Sequence, residues 1–319
     1  MKKAALQPEQ ILFAVKRTKW ERDLQRFASS RTVKRLYQRQ LLSYDRTYDS
    51  HKRQLANIDY LRQHLPAARF VYREELPYIQ SEEFALMASL GGDNHFVYSS
   101  HFNGDQPIAG VNSDPETSIG ALLQFEPQSF LDLCQSLINR PDWREQIHLK
   151  IWSRIEGQIH YPDRRQTEKL RACTSEITVR SRFHDYISRY LIRKNDESFE
   201  EHKCTGLLLS TGAGSTGWFK NCHPIELQTE MVFANDAPLF RVVAREPGYR
   251  LRESARFAST AVQAAETLQV VSRMDGEITI DADPEYVYPF PPGAIATFQL
   301  GEQGLPVLYP PPVSPPPAD

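Results

Sequence analysis

Residues 84–124, FALMASLGGDNHFVYSSHFNGDQPIAGVNSDPETSIGALLQ, constrain the fold of this chain more than any other stretch. They open with an apolar run, residues 84–90, of the length and blandness of a strand buried on both faces. The run stops at Gly91-Gly92-Asp93-Asn94. Apolar residues at Phe96, Val97 and Phe102 follow, then a second apolar strand, residues 107–111, closed by Asn112. This pattern predicts a strand–loop–helix–strand unit with paired glycines where the first strand ends. In open α/β sheets ligands sit at such carboxyl ends, and glycines let backbone N–H groups approach an anion closely. An acid among them can meet a metal ion or a hydroxyl proton, so the loop reads as the active site of a nucleotide-using phosphotransferase.

The rest of the first half extends that unit. Residues 11–15 (ILFAV) and 69–72 (RFVY) read as two further short strands. Between them, residues 18–65 contain no glycine or proline and carry Leu55, Ile58, Leu61 and Leu65 at near-helical spacing, which predicts one long or two successive helices. Alternating strands and helices imply a Rossmann-like parallel sheet with helices on its faces. A last amphipathic helix ends near Pro141, and the domain boundary is placed there, giving an α/β domain over residues 1–142. Beyond it the period changes. Ile147, Leu149, Ile151 and Ile155 alternate with polar residues as one half-buried strand, and many short strands with turn signals follow. Residues 143–302 are therefore expected to form a β-rich domain, an antiparallel sandwich or layered sheet. Residues 303–319, ending YPPPVSPPPAD, read as a proline-rich, disordered tail.

Composition narrows the partners. A formal net charge of −2 argues against non-specific nucleic-acid binding. No apolar run approaches the ~20 residues that span a bilayer, and residues 1–10 lack a secretory apolar core, so no membrane partner and a cytoplasmic location are expected. Cys134, Cys173, Cys204 and Cys222 show no CxxC spacing and read as reduced thiols. The histidines show no metal-ligand spacing, so the residues that would hold a metal stay unassigned.

Two later stretches carry possible chemistry. Residues 210–217 (STGAGSTG) match Gly-x-Gly-x-x-Gly, but Pro224 follows too soon for the helix that a dinucleotide fingerprint needs. What remains is a hydroxyl-rich loop suited to phosphate or ribose, or a plain hairpin loop. Asp275-Gly276 between two alternating strands reads first as a type I′ hairpin turn. Ser175-Glu176 heads a strand and by itself signals nothing.

Taken in order, these stretches resemble the NAD kinase family, within the group that includes diacylglycerol and sphingosine kinases. Gly91-Gly92-Asp93 resembles that family's Gly-Gly-Asp-Gly-Thr loop, and Gly110-Val111-Asn112 its Gly-Val-Asn strand end. Cys173-Thr174-Ser175-Glu176 falls where the family has Ala-Leu-Asn-Glu. Residues 209–216 are similar to its Ser-Thr-Pro-Thr-Gly-Ser-Thr loop. Asn112 to Pro115, Arg245-Glu246-Pro247, and Asp275-Gly276 with the later Pro-Gly-Ala-Ile-Ala resemble the mitochondrial-type branch.

The resemblance implies transfer of the ATP γ-phosphate to the adenosine 2′-hydroxyl of NAD or NADH, with magnesium or another divalent cation, in a homodimer. It assigns Asp93 as the catalytic acid. Gly91, Gly92, Asn94 and Asn112 fall at the ATP side, and Ser175, Glu176, Gly214, Ser215, Thr216 and Asp275 at the NAD side. Asn94-His95 replaces the family's Gly-Thr, and Ser175 its asparagine. These departures keep two other readings open: a catalytically silent nucleotide-binding relative, or a kinase acting on a lipid or sugar-like acceptor.

Overall fold

The computed structural model describes residues 5–164, 166–222, 232–248 and 255–312. The chain divides into two compact units, Met1–Lys150 with Pro306–Asp319, and Ile151–Leu305. The division thus falls at Lys150, and not at the expected residue 142.

The first unit is built on strands β1 (Ile11–Val15), β2 (Arg69–Tyr72), β3 (Leu86–Gly91), β4 (Ile108–Asn112) and β5 (His148–Trp152). Strands β1, β3 and β4 are buried along their whole length, as their unbroken apolar runs require. The sheet order is β2-β1-β3-β4, and each of these neighbours is parallel. Its core gathers around Phe13, which stacks on Phe70 at 4.4 Å and meets Phe130 edge-on at 5.7 Å. Burying one such ring contributes ~2–3 kcal/mol.

The glycine-free segment after β1 forms three helices, not one or two: α1 (Lys19–Phe27), α2 (Ser30–Arg39) and α3 (Tyr44–His64). Thr18, Ser29 and Ser43 cap their starts through side-chain oxygens. Ala28 and Leu41 end the first two in the left-handed region (φ 53° and 54°), breaks that no glycine or proline announces. Helix α4 (Asp93–Ser100) joins β3 to β4, and α5 (Pro127–Leu137) packs on the core.

The second unit holds β6 (Ile155–His160), β7 (Thr167–Lys169), β8 (Glu176–Ser181), β9 (Ser188–Lys194), β10 (Glu200–Cys204) and β11 (Gly206–Ser210). It continues through β12 (Leu239–Arg245), β13 (Ser259–Gln263), β14 (Leu268–Ser272), β15 (Gly276–Ile280), β16 (Val287–Phe290) and β17 (Ile295–Leu300). They form two six-stranded sheets, β10-β9-β14-β17-β6-β7 and β13-β12-β11-β8-β15-β16. The pairings within them are antiparallel, and one apolar core is shared by both, as a sandwich requires.

Three expectations need correction. The alternating segment from Ile147 to Ile155 is two strands in different sheets; on β5, Leu149 and Ile151 are 36% and 55% exposed. Asp275-Gly276 is not a hairpin turn, because β14 and β15 belong to different sheets and neither residue takes a positive φ. Gly276 is small for packing instead: a Cβ there would lie 2.9 Å from the Arg180 carbonyl. The segment assigned to a disordered tail contains a further strand, β18 (Leu305–Tyr309), parallel to β4 with Val307 opposite Ile108. Its neighbours' prolines masked a short Leu-Pro-Val-Leu-Tyr run, which lies between β4 and β5 in the sheet. Residues 313–319 of that tail lie outside the described residues.

Candidate active site

Strand order β2-β1-β3 places the sheet's topological switch between β1 and β3, where the crossovers leave in opposite directions. Gly91 ends β3, Gly92 is the N-cap of α4, and Asp93 is its first residue. The two glycines have different reasons to be there. A Cβ on Gly91 would lie 2.6 Å from the His95 ring, so packing excludes a side chain. A Cβ on Gly92 would find only Ser118 Oγ, at 3.9 Å, and its φ of −121° suits any residue. The space beside Gly92 is open to something other than protein.

The Asp93 carboxylate accepts from Leu122 N at 2.9 Å and Ala121 N at 3.1 Å. Asn94 is exposed on the first turn. His95 points inward: it is fully buried, and its Nε2 donates to the Ala14 carbonyl at 2.9 Å. Burial lowers its pKa to about 4, with Lys16 and Arg73 charges adding to the effect, so the ring is neutral. Lys16, immediately after β1, donates its backbone N–H to Leu90 O at 3.2 Å. Its pKa is lowered by burial and by Arg22 and Arg73, so cationic charge gathers at this end of the sheet. The sequence reading passed over Lys16; its place directly after an apolar strand was the available signal.

Asn112, the last residue of β4, braces the loop that follows it. It is buried, with Nδ2 donating to Ser118 O at 2.9 Å and Oδ1 accepting from Asp114 N at 3.1 Å. It shapes the loop that presents the Ala121 and Leu122 amides. Gly120 in that loop has φ +62°, a conformation that suits glycine. Asp114 fastens the loop to α3 through Arg53 Nε at 2.8 Å and Ser50 Oγ at 2.5 Å. Burial opposes its charge, but these donors and Thr117 hold its carboxyl below the usual range.

A second cluster forms in the other unit, where the start of β8 meets the ends of β11 and β15. Ser210 lies opposite Glu176, and Ile280 opposite Ile177. Asp281, just past β15, accepts backbone N–H bonds from Ser175 (2.7 Å), Thr174 (2.9 Å) and Glu176 (3.0 Å). The Cys173 thiol also donates to it at 3.2 Å. Thr211 ties the second loop on, its Oγ1 donating to Thr174 O at 2.6 Å. Gly214 packs so close to this junction that a Cβ would lie 2.4 Å from Ser175 O. Burial raises the pKa of Glu176, the Ser175 hydroxyl donating at 2.6 Å opposes this, and the Asp281 charge reinforces it.

The structure therefore brings Ser175, Glu176, Gly214, Ser215 and Thr216 together. Ser215 is buried and donates to Gly212 O at 2.6 Å, whereas Thr216 is exposed. Asp275 is not brought to them. Gly276 lies opposite Ser181 and Ile280 opposite Ile177, so Asp275 stands at the far end of β15 from Glu176. Asp281 occupies the near end, and sequence reading missed it. Among the described residues no group of three His, Cys, Asp or Glu side chains could hold a metal ion. Cys134, Cys173, Cys204 and Cys222 are free.

The fold, a parallel sheet with helices in one unit and an antiparallel sandwich in the other, is shared with solved NAD and NADH kinases. A yeast NADH kinase solved with NADH aligns over 97% of this chain and 84% of its own, with a TM-score of 0.67 at 12% identity. An NAD kinase from Archaeoglobus fulgidus solved with ATP aligns over 80% and 88%, with a TM-score of 0.57 at 18% identity. In sequence the chain is similar to the NAD kinase of Chlorobium phaeobacteroides, 21% identical over 51% of this chain and 53% of that protein. It is also similar to human mitochondrial NAD kinase 2, 24% identical over 69% of this chain and 59% of that one. The chain spans about half the length of the bacterial relatives it matches. No family model matches it.

Proposed function

We propose that the chain is an NAD kinase of the mitochondrial-type branch, transferring the γ-phosphate of ATP to the adenosine 2′-hydroxyl of NAD or NADH. The observation that carries this is the open space beside Gly92, next to Asp93 and the Lys16 cationic region at the switch point. Such a place suits nucleotide phosphates. The ribose oxygen bonds to the γ-phosphorus, the bond to the β-phosphate oxygen breaks, and ADP leaves with that electron pair. Asp93 takes the hydroxyl proton. Positioning and charge neutralisation supply most of the rate. One carboxylate, with no metal cage among the described residues, suits a divalent cation that arrives on the phosphates. The Ser175–Glu176 and Gly214–Thr216 junction holds the dinucleotide. The names of the sequence relatives support this reading, and the similarity to the human mitochondrial enzyme extends over 69% of the chain.

The test is NADP or NADPH formation by purified protein with ATP and magnesium, NAD and NADH being offered separately. No phosphate transfer to either acceptor would overturn it. A second reading, a silent nucleotide-binding protein, is favoured by the Asp93 carboxylate being held by two backbone amides and by Asn94-His95 in place of Gly-Thr. Calorimetric NAD binding without turnover would select it.

A further inference from the structure

From Leu24 to Tyr44 the chain has no Asp or Glu but carries Arg26, Arg31, Lys34, Arg35 and Arg39, although the whole chain has a net charge of −2. Helix α2 sorts these residues by face. Val33 and Tyr37 are buried against Trp20, while Arg31, Lys34, Arg35 and Arg39 are exposed. The nearby Lys19 and Lys52 are paired with Asp23 and Asp49, but Arg31, Arg35 and Arg39 have no such partner among the described residues. The Lys34 ammonium lies over the Tyr44 ring at 5.1 Å, on the same surface.

Leu41-Leu42 follow the α2 helix directly after its C-cap, Gln40. Leu41 is 94% exposed and Leu42 43% exposed. Leu41 also has φ 54°, a left-handed conformation that a bulky side chain adopts at a cost. The conformation closes the end of α2, where Leu42 N donates to Tyr37 O at 2.9 Å, but the exposure of the Leu41 side chain serves no packing inside the fold. Two adjacent leucines at a tip, flanked by a helix that is basic and free of acid, match a surface with an apolar interior and an anionic face.

We infer that the α2 helix and the Leu41-Leu42 tip form a docking surface for an anionic lipid membrane. The arginines and Lys34 meet the headgroups, and the two leucines enter the acyl boundary. This is association with a surface and not insertion: no described helix is long and apolar enough to cross a membrane. A nucleic acid would use the same charges, but it gives no place to the exposed leucines, and for that reason the membrane is preferred.

The test is co-sedimentation of the full chain with phosphatidylcholine vesicles containing about one third phosphatidylglycerol, beside pure phosphatidylcholine vesicles. Two variants accompany it, Leu41→Ser with Leu42→Ser, and Arg31→Glu with Lys34→Glu and Arg35→Glu. These side chains lie outside the core, and unchanged thermal midpoints verify that the variants fold. Binding is expected to the anionic vesicles alone, to weaken about tenfold or more in each variant, and to fall as salt is raised. Equal binding to both vesicle types, no binding to either, or binding indifferent to the leucine pair overturns the inference. So does a short RNA duplex that displaces the vesicles and binds the leucine variant as tightly as the native chain.

Discussion

Asp93 and Leu122 are joined by a 2.9 Å hydrogen bond from the Leu122 amide to the Asp93 carboxylate, across 29 residues of chain. The bond holds the acid at the start of α4 against the loop that Asn112 and Asp114 shape. One loop thus sets the orientation of the side chain proposed to receive the 2′-hydroxyl proton. A carboxylate accepting two backbone amides keeps further lone pairs for a proton or a cation.

Replacing Asp93 by Asn keeps an oxygen for one of the two amides but removes the proton acceptor. NADP formation is expected to fall about 10²–10⁴-fold, with the thermal midpoint within a few degrees of the native chain. Steady-state kinetics beside thermal unfolding reads both. Near-normal turnover would remove Asp93 from its assigned role.

Gly91 and Gly92 are expected to respond oppositely to alanine. Gly91→Ala drives a methyl into the His95 ring and costs ~1–3 kcal/mol of stability. Gly92→Ala fits the fold, since its nearest neighbour is 3.9 Å away, yet it fills the space proposed for phosphate. ATP affinity measured by calorimetry is expected to drop about tenfold or more, with unfolding by urea unchanged. If Gly92→Ala binds ATP like the native chain, the nucleotide lies elsewhere.

How legible each part was follows from how far its cause reaches along the chain. The β3–Gly91–Gly92–α4 unit was readable because a buried strand, its glycine stop and the next helix are local events. Asp281 was invisible because its partners, residues 173–176, are more than 100 positions away and are met only through the β8–β15 register. The turn expected at Asp275-Gly276 rested on a local signal: Asp-Gly favours a hairpin, but the strands on either side enter different sheets. Asn94-His95 illustrates a third case. The two residues look like a paired substitution, yet one is exposed and the other buried, so only Asn94 borders the open side of the loop. Averaging hid the basic α2 face, since acids elsewhere bring the whole chain to −2.

Asp281 gathers three backbone amides, and Asp281→Ala would leave them without that acceptor. The expected loss is ~3 kcal/mol of stability, together with weaker NAD binding as residues 174–176 lose their anchor. Asp281→Asn should cost less, because asparagine tolerates the φ of 53° found here and still offers one oxygen. Urea unfolding and NAD calorimetry on the two variants test this order. Equal behaviour of Ala and Asn would show that the carboxylate oxygens are not what holds the turn.

His95 makes stability depend on pH in a defined window. Its folded pKa of about 4 lies below the ordinary 6.5, so between these values the unfolded chain binds the proton that the folded chain refuses. The contribution is therefore fully present above about 6.5 and is lost as pH falls towards about 4. A shift of that size corresponds to ~3 kcal/mol, and full burial of the ring leaves little solvent to screen it. His95→Gln removes the titration while its amide can still donate to the Ala14 carbonyl. The difference in unfolding free energy between native chain and variant, measured by urea at pH 7 and again at pH 4.5, should move against the native chain by ~2–3 kcal/mol. A difference that stays constant across the two pH values would mean that the His95 ring carries its proton in the folded state.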